Sequence, residues 1–408
     1  MLKTAALVAI SAVALYQVGI AVYIFTTLSI HSQGEFGSIM AVVNDLRFQY
    51  PVHFEMVNRV TKLPFPNNSA KRYYEEQKDF FLKAAEEFEI HPYWADNNAK
   101  EGMGFREVVT ERVLGMYRQF QATGRMDYRL EKDRCAMIEF FRNNNIPHPA
   151  VKKMWYSKEA VIEDLKSGAI EKMVDNFPIF LKACHLTQQS SDGTFSIKTP
   201  AALKDNEENI LKFINHRWGY RSRDVDRPWQ DKGDKLTDAL TPSYEIQEPF
   251  MQTGGNQMHV EGRVAVGLIE VRAEVMWGKV YLVNLDATTI FRRDGKIEDY
   301  TSFMGGVLHM PPEAGKRVSW LRDEGYIDCV IEVSERLAQA AHIEYVRVDV
   351  FIDKGDPKNC AVNEISLTSG YVYYGHEERM VNLWIDGLVN KRYKVFETDI
   401  PVHELKSA

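Results

Sequence analysis

The chain has 408 residues, of which 45% are hydrophobic and 26% are charged, values that are ordinary for a globular protein of two or three domains. Its formal net charge of −7 gives no general attraction to nucleic acid, so we expect no nucleic-acid partner. The four cysteines are far apart and form no Cys-x-x-Cys pair, which argues against a zinc site and neither requires nor excludes disulfide bonds.

An apolar segment opens the chain. From Thr4 to Ile30 the one strongly polar residue is Gln17, and at helical rise this segment is long enough to cross a bilayer. It is also longer than the apolar core of a usual cleaved signal peptide, which is the alternative interpretation. We therefore predict a retained single-pass anchor within residues 1–33. Because Lys3 precedes the segment and acidic residues follow it, the positive-inside rule favours a body in a secretory or Golgi lumen.

The next region, residues 34–125, is predicted to be mainly helical. Apolar residues recur with helical spacing from Tyr73 to Phe88 and again from Phe105 to Phe120. Asn67-Asn68-Ser69 is a glycosylation sequon, which has meaning only if this region faces a secretory lumen.

Two lysines stand at the ends of predicted elements. Lys132 opens a helix that runs through Phe141 and is followed by an extended Ile146-Pro147-His148-Pro149. A later strand delivers Lys182 into a small polar loop that extends to Thr194. Loops of this kind either lay backbone N–H groups against phosphates or are plain surface loops.

Residues 219–243 are polar and irregular, and they contain Asp224-Val225-Asp226. An Asp-x-Asp pair behind an amino-terminal anchor is similar to the pair with which Golgi-type glycosyltransferases hold a metal and a nucleotide sugar. A type II membrane glycosyltransferase that uses Asp224 and Asp226 is therefore one hypothesis. The Arg-rich surroundings are also compatible with a solvated loop.

Strands dominate the second half of the chain. Tyr244 to Met251 is a predicted strand, and it is followed by a predicted antiparallel meander over Gly267 to Trp277, Lys279 to Asp286 and Thr288 to Arg292. Trp277-Gly278 is expected to form the first turn of this meander. A helix that ends at Ala341 then leads into the last pair of strands.

That pair, Tyr345 to Gly370, has the sequence pattern of a β-hairpin. Apolar residues alternate on both sides of a turn rich in Gly, Pro, Asp and Asn. A symmetric fold about Asp356 and Pro357 places Asp349 opposite Glu364. Opposed carboxylates repel each other, and a divalent cation such as Mg²⁺ would remove the repulsion. Two solvated carboxylates on an exposed face are the alternative.

The order of these elements resembles the ATP-grasp superfamily and, more narrowly, its TupA-like branch, named for teichuronopeptide synthesis. The similarity covers roughly residues 125 to 385 and rests on five stretches of the sequence. They are Leu130-Glu131-Lys132, Phe177 through His185, Arg272 through Gly278, Arg347-Val348-Asp349 and Asn363-Glu364-Ile365-Ser366. It implies an α/β (α+β) ATP-grasp fold over residues 126–390, in which two α+β subdomains clamp the nucleotide, with residues 391–408 as a carboxy-terminal tail.

The resemblance also implies roles for individual residues. Lys132 and Lys182 would contact the ATP phosphates, and the loop from His185 to Thr194 would close over them. Gln247 to Met251, which includes Phe250, would form the adenine hinge, with Glu245 or Glu248 near the ribose. Arg272 would face the γ-phosphate, and Mg²⁺ would be held by Asp349, Glu364 and Ser366. Lys182 and Arg272 would be the catalytic side chains. Ser366 stands where many members have Asn, and Leu186-Thr187-Gln188 stands where a Gly-Ser-Gly run is usual.

These roles together predict an ATP-dependent carboxylate–amine ligase that acts through an acyl-phosphate and modifies a cell-surface or secretory polymer. Phosphoryl transfer depends mainly on positioning and charge neutralisation, which two lysines, an arginine and carboxylate-bound Mg²⁺ can supply. A third hypothesis, beside the glycosyltransferase, is a degenerate ATP-grasp domain that binds nucleotide without catalysis.

Overall fold

A computed structural model describes residues 16–24, 49, 69–186, 193–225, 227–250, 257–260, 263–266, 268–285, 289–303, 306–309, 319–369 and 376–396. Most of the predicted anchor, the sequon at Asn67, Asp226, Met251 and the end of the tail lie outside these ranges. Residues 16–24 are helical. Across the described ranges, no helix is both long and apolar enough to cross a membrane.

The described residues form a mixed α/β structure, as predicted. The helices are α1 (Ser69–Glu87), α2 (Pro92–Ala95), α3 (Phe105–Thr123), α4 (Arg129–Lys132), α5 (Arg134–Asn143), α6 (Lys158–Lys166), α7 (Ala169–Met173), α8 (Pro200–Asp205), α9 (Glu207–Trp218), α10 (Gln230–Asp238), α11 (Trp320–Asp323), α12 (Tyr326–Ala341) and α13 (His376–Val389). The strands are β1 (Glu89–Ile90), β2 (Val151–Trp155), β3 (Ile179–Ala183), β4 (Thr194–Ile197), β5 (Tyr244–Gln247), β6 (Gln257–Val260), β7 (Arg263–Val266), β8 (Ile269–Met276), β9 (Lys279–Leu285), β10 (Thr289–Arg292), β11 (Ile297–Phe303), β12 (Gly306–His309), β13 (Tyr345–Asp353), β14 (Asp356–Ser366) and β15 (Lys394–Val395).

The smaller of the two main sheets has the strand order β2-β5-β3-β4 with antiparallel pairing. One face carries Leu181 and Ile246, which are fully buried against α6 and α9. Because side chains alternate along a strand, Lys182, Glu245 and Gln247 lie on the opposite face. That face meets α5 and β14, as the hydrogen bonds described below show.

The larger sheet has the order β12-β11-β10-β9-β8-β13-β14. The predicted meander is confirmed, since β8, β9 and β10 pair antiparallel in sequence order. Trp277 and Gly278 join β8 to β9, and both have positive φ angles, 51° and 69°. A two-residue turn with two positive φ angles matches the right-handed twist of the flanking strands.

The amino-terminal helices pack on the larger sheet and share its core. In α3 the guanidinium of Arg112, which is 1% exposed, donates to Glu344 Oε1 at 2.6 Å, to the Tyr345 carbonyl at 2.8 Å and to the Leu367 carbonyl at 3.1 Å. The predicted boundary near residue 125 remains a prediction, but residues on both sides of it contribute to one hydrophobic core.

All four cysteines are paired in disulfides, a possibility that the sequence left open. Cys135–Cys184 joins the start of α5 to the residue after β3, and Cys329–Cys360 joins α12 to β14. The Asp133 carboxylate lies within 4.8 Å of the first pair of sulfurs. Those sulfurs are bonded to each other, so neither is a thiolate available to a metal ion.

Candidate functional site

A cluster of carboxylates lies on β8, β13 and β14 of the larger sheet, of which β14 is the edge strand. Asp349 on β13 is the register partner of Glu364 on β14 and of Arg272 on β8, so the predicted opposition of Asp349 and Glu364 is confirmed. Burial, and then the charges of Asp349 and Glu270, raise the pKa of Glu364 to about 7. Burial and Asp349 also raise the pKa of Glu270. Three carboxylates thus share a poorly solvated space.

Arginines compensate this cluster only in part. Arg347 donates from Nε and Nη2 to the two oxygens of Asp349, at 2.8 and 2.9 Å. Arg272 lies farther away, 3.9 Å from Asp349 and 4.0 Å from Glu270. Among the described residues, Glu364 has no hydrogen bond or ion pair. The sequence included Arg347 in a motif but gave it no role, and its side chain touches the candidate metal ligand.

Ser366 lies at the edge of the same group. It is 3% exposed and is the register partner of Arg347. This pair lies two residues along the strands from the Asp349–Glu364 pair. The Ser366 hydroxyl is therefore near the cluster but not between the two carboxylates, and its predicted place as a third metal ligand stays a prediction.

Two cations converge on the facing side, at the small sheet. Lys182 Nζ and Arg134 Nη2 both donate to Gln247 Oε1, at 2.9 and 2.6 Å. Burial, and then the charge of Arg134, lower the pKa of Lys182 to about 7, although the carboxylates of Glu245 and Glu364 oppose the shift. Two positive groups on one neutral amide oxygen repel each other, and an anion placed beside them would remove the repulsion.

Arg134 connects the two walls of this site. Its Nε donates to Glu245 Oε1 at 2.5 Å, and its Nη1 donates to the backbone carbonyl of Asn363 on β14 at 2.9 Å. The Asn363 side chain in turn donates to Glu270 Oε1 at 2.7 Å. The polar groups therefore run without a break from Lys182 on the small sheet to the carboxylates on the large one.

Lys132 does not join these cations. It is 3% exposed, and its Nζ lies 3.0 Å from Glu131 Oε1 and 3.0 Å from Asp224 Oδ1. Burial lowers its pKa, but the two carboxylates outweigh burial and the net pKa is raised. Its charge is neutralised inside the protein. The phosphate contact predicted for Lys132 stays a prediction, and Arg134, two residues later, is the cation beside Lys182.

Asp224 is also engaged within the protein. Its carboxylate accepts from Tyr128 Oη at 2.6 Å, from Lys132 Nζ at 3.0 Å and from Trp229 Nε1 at 3.1 Å. With both oxygens in use, Asp224 is a structural counter-ion and not an open metal ligand. The glycosyltransferase hypothesis therefore gains no support from this residue.

The predicted adenine hinge is partly occupied by internal contacts. Glu248 accepts from the backbone N–H groups of Asp175 and Asn176, and its own N–H donates to the Ala150 carbonyl at 2.9 Å. These contacts occupy the Glu248 carboxylate, and its predicted ribose role stays a prediction. Glu245, the alternative, is fully buried, and its Oε2 has no hydrogen-bond partner among the described residues.

Phe250 connects the hinge to the larger sheet. Its ring centroid lies 6.0 Å from that of Phe351 on β13, and Phe351 shares a strand face with Asp349. This contact brings Phe250, in the predicted hinge, next to the strand that carries Asp349.

His185 does not face the site. Its Nε2 lies 2.9 Å from the Arg217 carbonyl, and its Nδ1 lies 3.3 Å from the Ser243 N–H. Nδ1 must accept from that N–H, so Nε2 carries the proton and donates. Burial lowers the pKa of His185 to about 4. Both ring nitrogens are therefore bound to backbone groups, and the phosphate contact predicted for His185 stays a prediction.

The two residues that flank the loop after His185, Leu186 and Gly193, lie close together. A Cβ placed on Gly193 would lie 2.9 Å from the carbonyl oxygen of Leu186, and Leu186 is 2% exposed. Residues 187–192, which were predicted to cover the phosphates, lie between these two positions and outside the described ranges.

No protein-family model and no curated protein matches the chain. A D-alanine–D-alanine ligase from Bacillus anthracis is similar in structure, with 13% identity, a TM-score of 0.35 and coverage of 64% of this chain and 69% of that one. A RimK domain protein ATP-grasp from Sphaerobacter thermophilus aligns with 13% identity, a TM-score of 0.33 and coverage of 69% of each chain. An N5-carboxyaminoimidazole ribonucleotide synthetase from Thermotoga maritima aligns with 16% identity, a TM-score of 0.32 and coverage of 71% and 58%.

TM-scores of this size do not establish a common fold. Membership of the ATP-grasp superfamily and of its TupA-like branch therefore stays a prediction from the sequence.

Proposed function

We propose that this protein is an ATP-dependent ligase that joins a carboxylate to an amine through an acyl-phosphate. The observation that carries the proposal is the pairing of Lys182 and Arg134 on one wall of the site with Asp349, Glu364 and Glu270 on the other. A polyphosphate needs cations around its oxygens, and the divalent ion that accompanies it needs carboxylates. The two walls supply one set each.

The chemistry of the carboxylate wall itself fits Mg²⁺. Asp349 and Glu364 offer hard oxygen ligands, and Glu364 is held near other negative charges without a cationic partner in the described part of the chain. A divalent cation would remove that repulsion. Bound there, Mg²⁺ would neutralise phosphate oxygens and help to orient them. Glu270 lies beside these ligands, and Arg347 would have to share or release Asp349.

Other side chains of the protein would then bind the phosphates and the acceptor carboxylate. Lys182 and Arg134 hold the phosphate oxygens, so Arg134 takes the role that the sequence gave to Lys132. Arg272 and Arg347, at the carboxylate wall, are placed to hold the transferred phosphoryl group and the acceptor carboxylate. Fixed cations that face developing charge need no reorganisation during the reaction.

The buried Oε2 of Glu245 has no hydrogen-bond donor among the residues that the structure describes, and a sugar hydroxyl would supply one. No covalent nucleophile is required, because the amine displaces phosphate from the acyl-phosphate.

The disulfides bear on where this reaction takes place. Disulfides form and persist in oxidising compartments and are rare in the cytosol, and here all four cysteines are paired. The disulfides support the proposal that the body of the protein lies in a secretory or Golgi lumen, held by the predicted anchor, and that its substrates are a carboxylate and an amine of a cell-surface or secretory polymer.

One observation favours a second candidate, a nucleotide-binding domain without catalysis. Leu186 is buried and lies where a glycine would let the chain turn freely. A loop that starts from a fixed, buried leucine has fewer ways to close over phosphates than one that starts from glycine.

The deciding experiment measures nucleotide products. The whole chain is incubated with ATP, Mg²⁺ and a panel of carboxylates, with hydroxylamine as the amine. We expect ADP and phosphate only when a carboxylate is present, together with a hydroxamate from the trapped acyl-phosphate. AMP and pyrophosphate would indicate adenylation and remove the ligase proposal. ATP-dependent thermal stabilisation without cleavage would support the second candidate.

A further inference from the structure

The Cys135–Cys184 disulfide lies directly behind the two converging cations. Cys135 is the neighbour of Arg134, and Cys184 follows Lys182 by two residues. The bridge brings their Cα atoms to 5.3 Å, although 49 residues separate them along the chain, and both residues are 0% exposed. It is a covalent connection between the helix that carries one cation and the strand that carries the other.

The cations themselves work against this arrangement. Lys182 Nζ and Arg134 Nη2 meet at one neutral oxygen, Gln247 Oε1. Arg134 has a carboxylate partner in Glu245, but within the described residues Lys182 has no ion pair. When no anion is bound, like charges held this close favour separation of α5 from the end of β3. A covalent bond between the two backbones opposes that separation.

The bridge also holds the short turn that follows β3. Cys184 begins a single 3₁₀ turn that ends at Leu186, and Leu186 meets Gly193 across the base of the loop. The Cys184 N–H also donates to the Ser243 carbonyl at 2.9 Å. The disulfide therefore fixes Cys184 and the 3₁₀ turn that follows Lys182.

We propose that Cys135 and Cys184 are positioning residues of the phosphate site, and that nucleotide binding depends on their remaining oxidised. The proposal rests on the proposed function, since it concerns the same phosphate site. Reduction by a dithiol transfers two electrons and two protons to the bridge, breaks its S–S bond and leaves two thiols, while the dithiol becomes a disulfide. Arg134 and Lys182 then separate, and the site loses its preorganised pair of charges.

The second disulfide provides a matched control. Cys329–Cys360 closes a stretch of 31 residues, so its removal should lower stability by an amount comparable to removal of Cys135–Cys184. It joins α12 to the middle of β14, and neither of its cysteines adjoins Arg134 or Lys182 in the sequence. An effect on stability alone should therefore appear in both variants, and an effect on nucleotide affinity in only one.

The experiment compares the wild type, C135S/C184S and C329S/C360S by calorimetric titration with ATP and Mg²⁺ and by the midpoint of thermal unfolding without ligand. We expect lower midpoints in both variants, a Kd for ATP that rises roughly tenfold or more in C135S/C184S, and a change within about twofold in C329S/C360S. Equal Kd values in the three proteins would overturn the inference but not the proposed function. A wild type that does not bind ATP would overturn both.

A measurement on the wild type covers the case in which C135S/C184S does not fold. The protein is treated with dithiothreitol and iodoacetamide, and alkylation of each cysteine is followed by mass spectrometry with and without ATP and Mg²⁺. We expect bound nucleotide to slow alkylation of Cys135 and Cys184 several-fold, with Cys329 and Cys360 unaffected, because the anion holds the two cations together. The same rates with and without nucleotide would contradict the proposal.

Discussion

Replacing Glu364 with glutamine tests whether the carboxylate cluster is a site that needs a cation. Glu364 has its pKa raised from 4.5 to about 7 by burial and by the charges of Asp349 and Glu270. In the native state the protonated form is thus favoured. The stability that it contributes is fully present below pH 4.5, and it is lost as the pH rises through 7. Glutamine is neutral at every pH and has nearly the shape of the protonated acid.

The size of the effect follows from the shift in pKa. A change of about 2.5 units corresponds to about 3 kcal/mol of unfolding free energy, all of it lost by the wild type at pH 8.5. We therefore expect Glu364→Gln to be more stable than the wild type by about this amount at pH 8.5, and by less than about 1 kcal/mol at pH 5. Mg²⁺ should stabilise the wild type at pH 8.5 and should stabilise the variant much less.

The assay is thermal and urea unfolding at the two pH values, with and without Mg²⁺. Glu208→Gln is the control, because the Glu208 side chain is 83% exposed and its loss should change stability little at either pH. The reasoning is refuted if Glu364→Gln is no more stable than the wild type at pH 8.5, or if its advantage is the same at pH 5.

Three further substitutions separate the roles of the remaining charges. Lys182→Met should raise the Kd for ATP roughly tenfold or more in calorimetric titration without lowering the unfolding midpoint, and unchanged affinity would remove Lys182 from the site. Lys132→Met should lower the unfolding free energy by roughly 3 to 5 kcal/mol, because it leaves Glu131 and Asp224 buried without their cation. A stable variant that cannot bind ATP would instead support the predicted contact of Lys132 with the ATP phosphates. Asp349→Asn should abolish release of phosphate and weaken ATP binding less, since charge neutralisation matters most in the transition state, and full turnover by the variant would exclude Asp349 as a metal ligand.

Local patterns in the sequence predicted the strands and their register well. The alternation from Tyr345 to Gly370 placed Asp349 opposite Glu364, but the predicted centre at Asp356 and Pro357 is wrong. The turn lies at Lys354 and Gly355, and two register shifts between the strands restore the predicted pairing. The meander was also predicted, and there Trp277-Gly278 marks a two-residue turn. In these cases the deciding interactions are between residues close together in the chain.

The direction of individual polar side chains could not be predicted in this way. Lys132 and Arg134 are two residues apart, at the end of α4 and the start of α5. Lys132 pairs with Glu131 and Asp224, and Arg134 pairs with Glu245, so carboxylates far along the chain decide where each cation points. His185 is turned away from the site by backbone groups of Arg217 and Ser243. The pairing of four widely spaced cysteines likewise depends on the tertiary structure and not on spacing.

Any shortened version of this protein has to keep its amino-terminal helices. If α3 were removed, Glu344 would lose the Arg112 guanidinium and keep Trp384 Nε1, at 3.1 Å, as its hydrogen-bond donor among the described residues. If α1 were removed, the Tyr281 carbonyl would lose Tyr73, whose hydroxyl donates to it at 2.6 Å. A truncation placed just before Lys132 would preserve every residue of the site and still expose the apolar back of the larger sheet, so its insolubility would say nothing about catalysis.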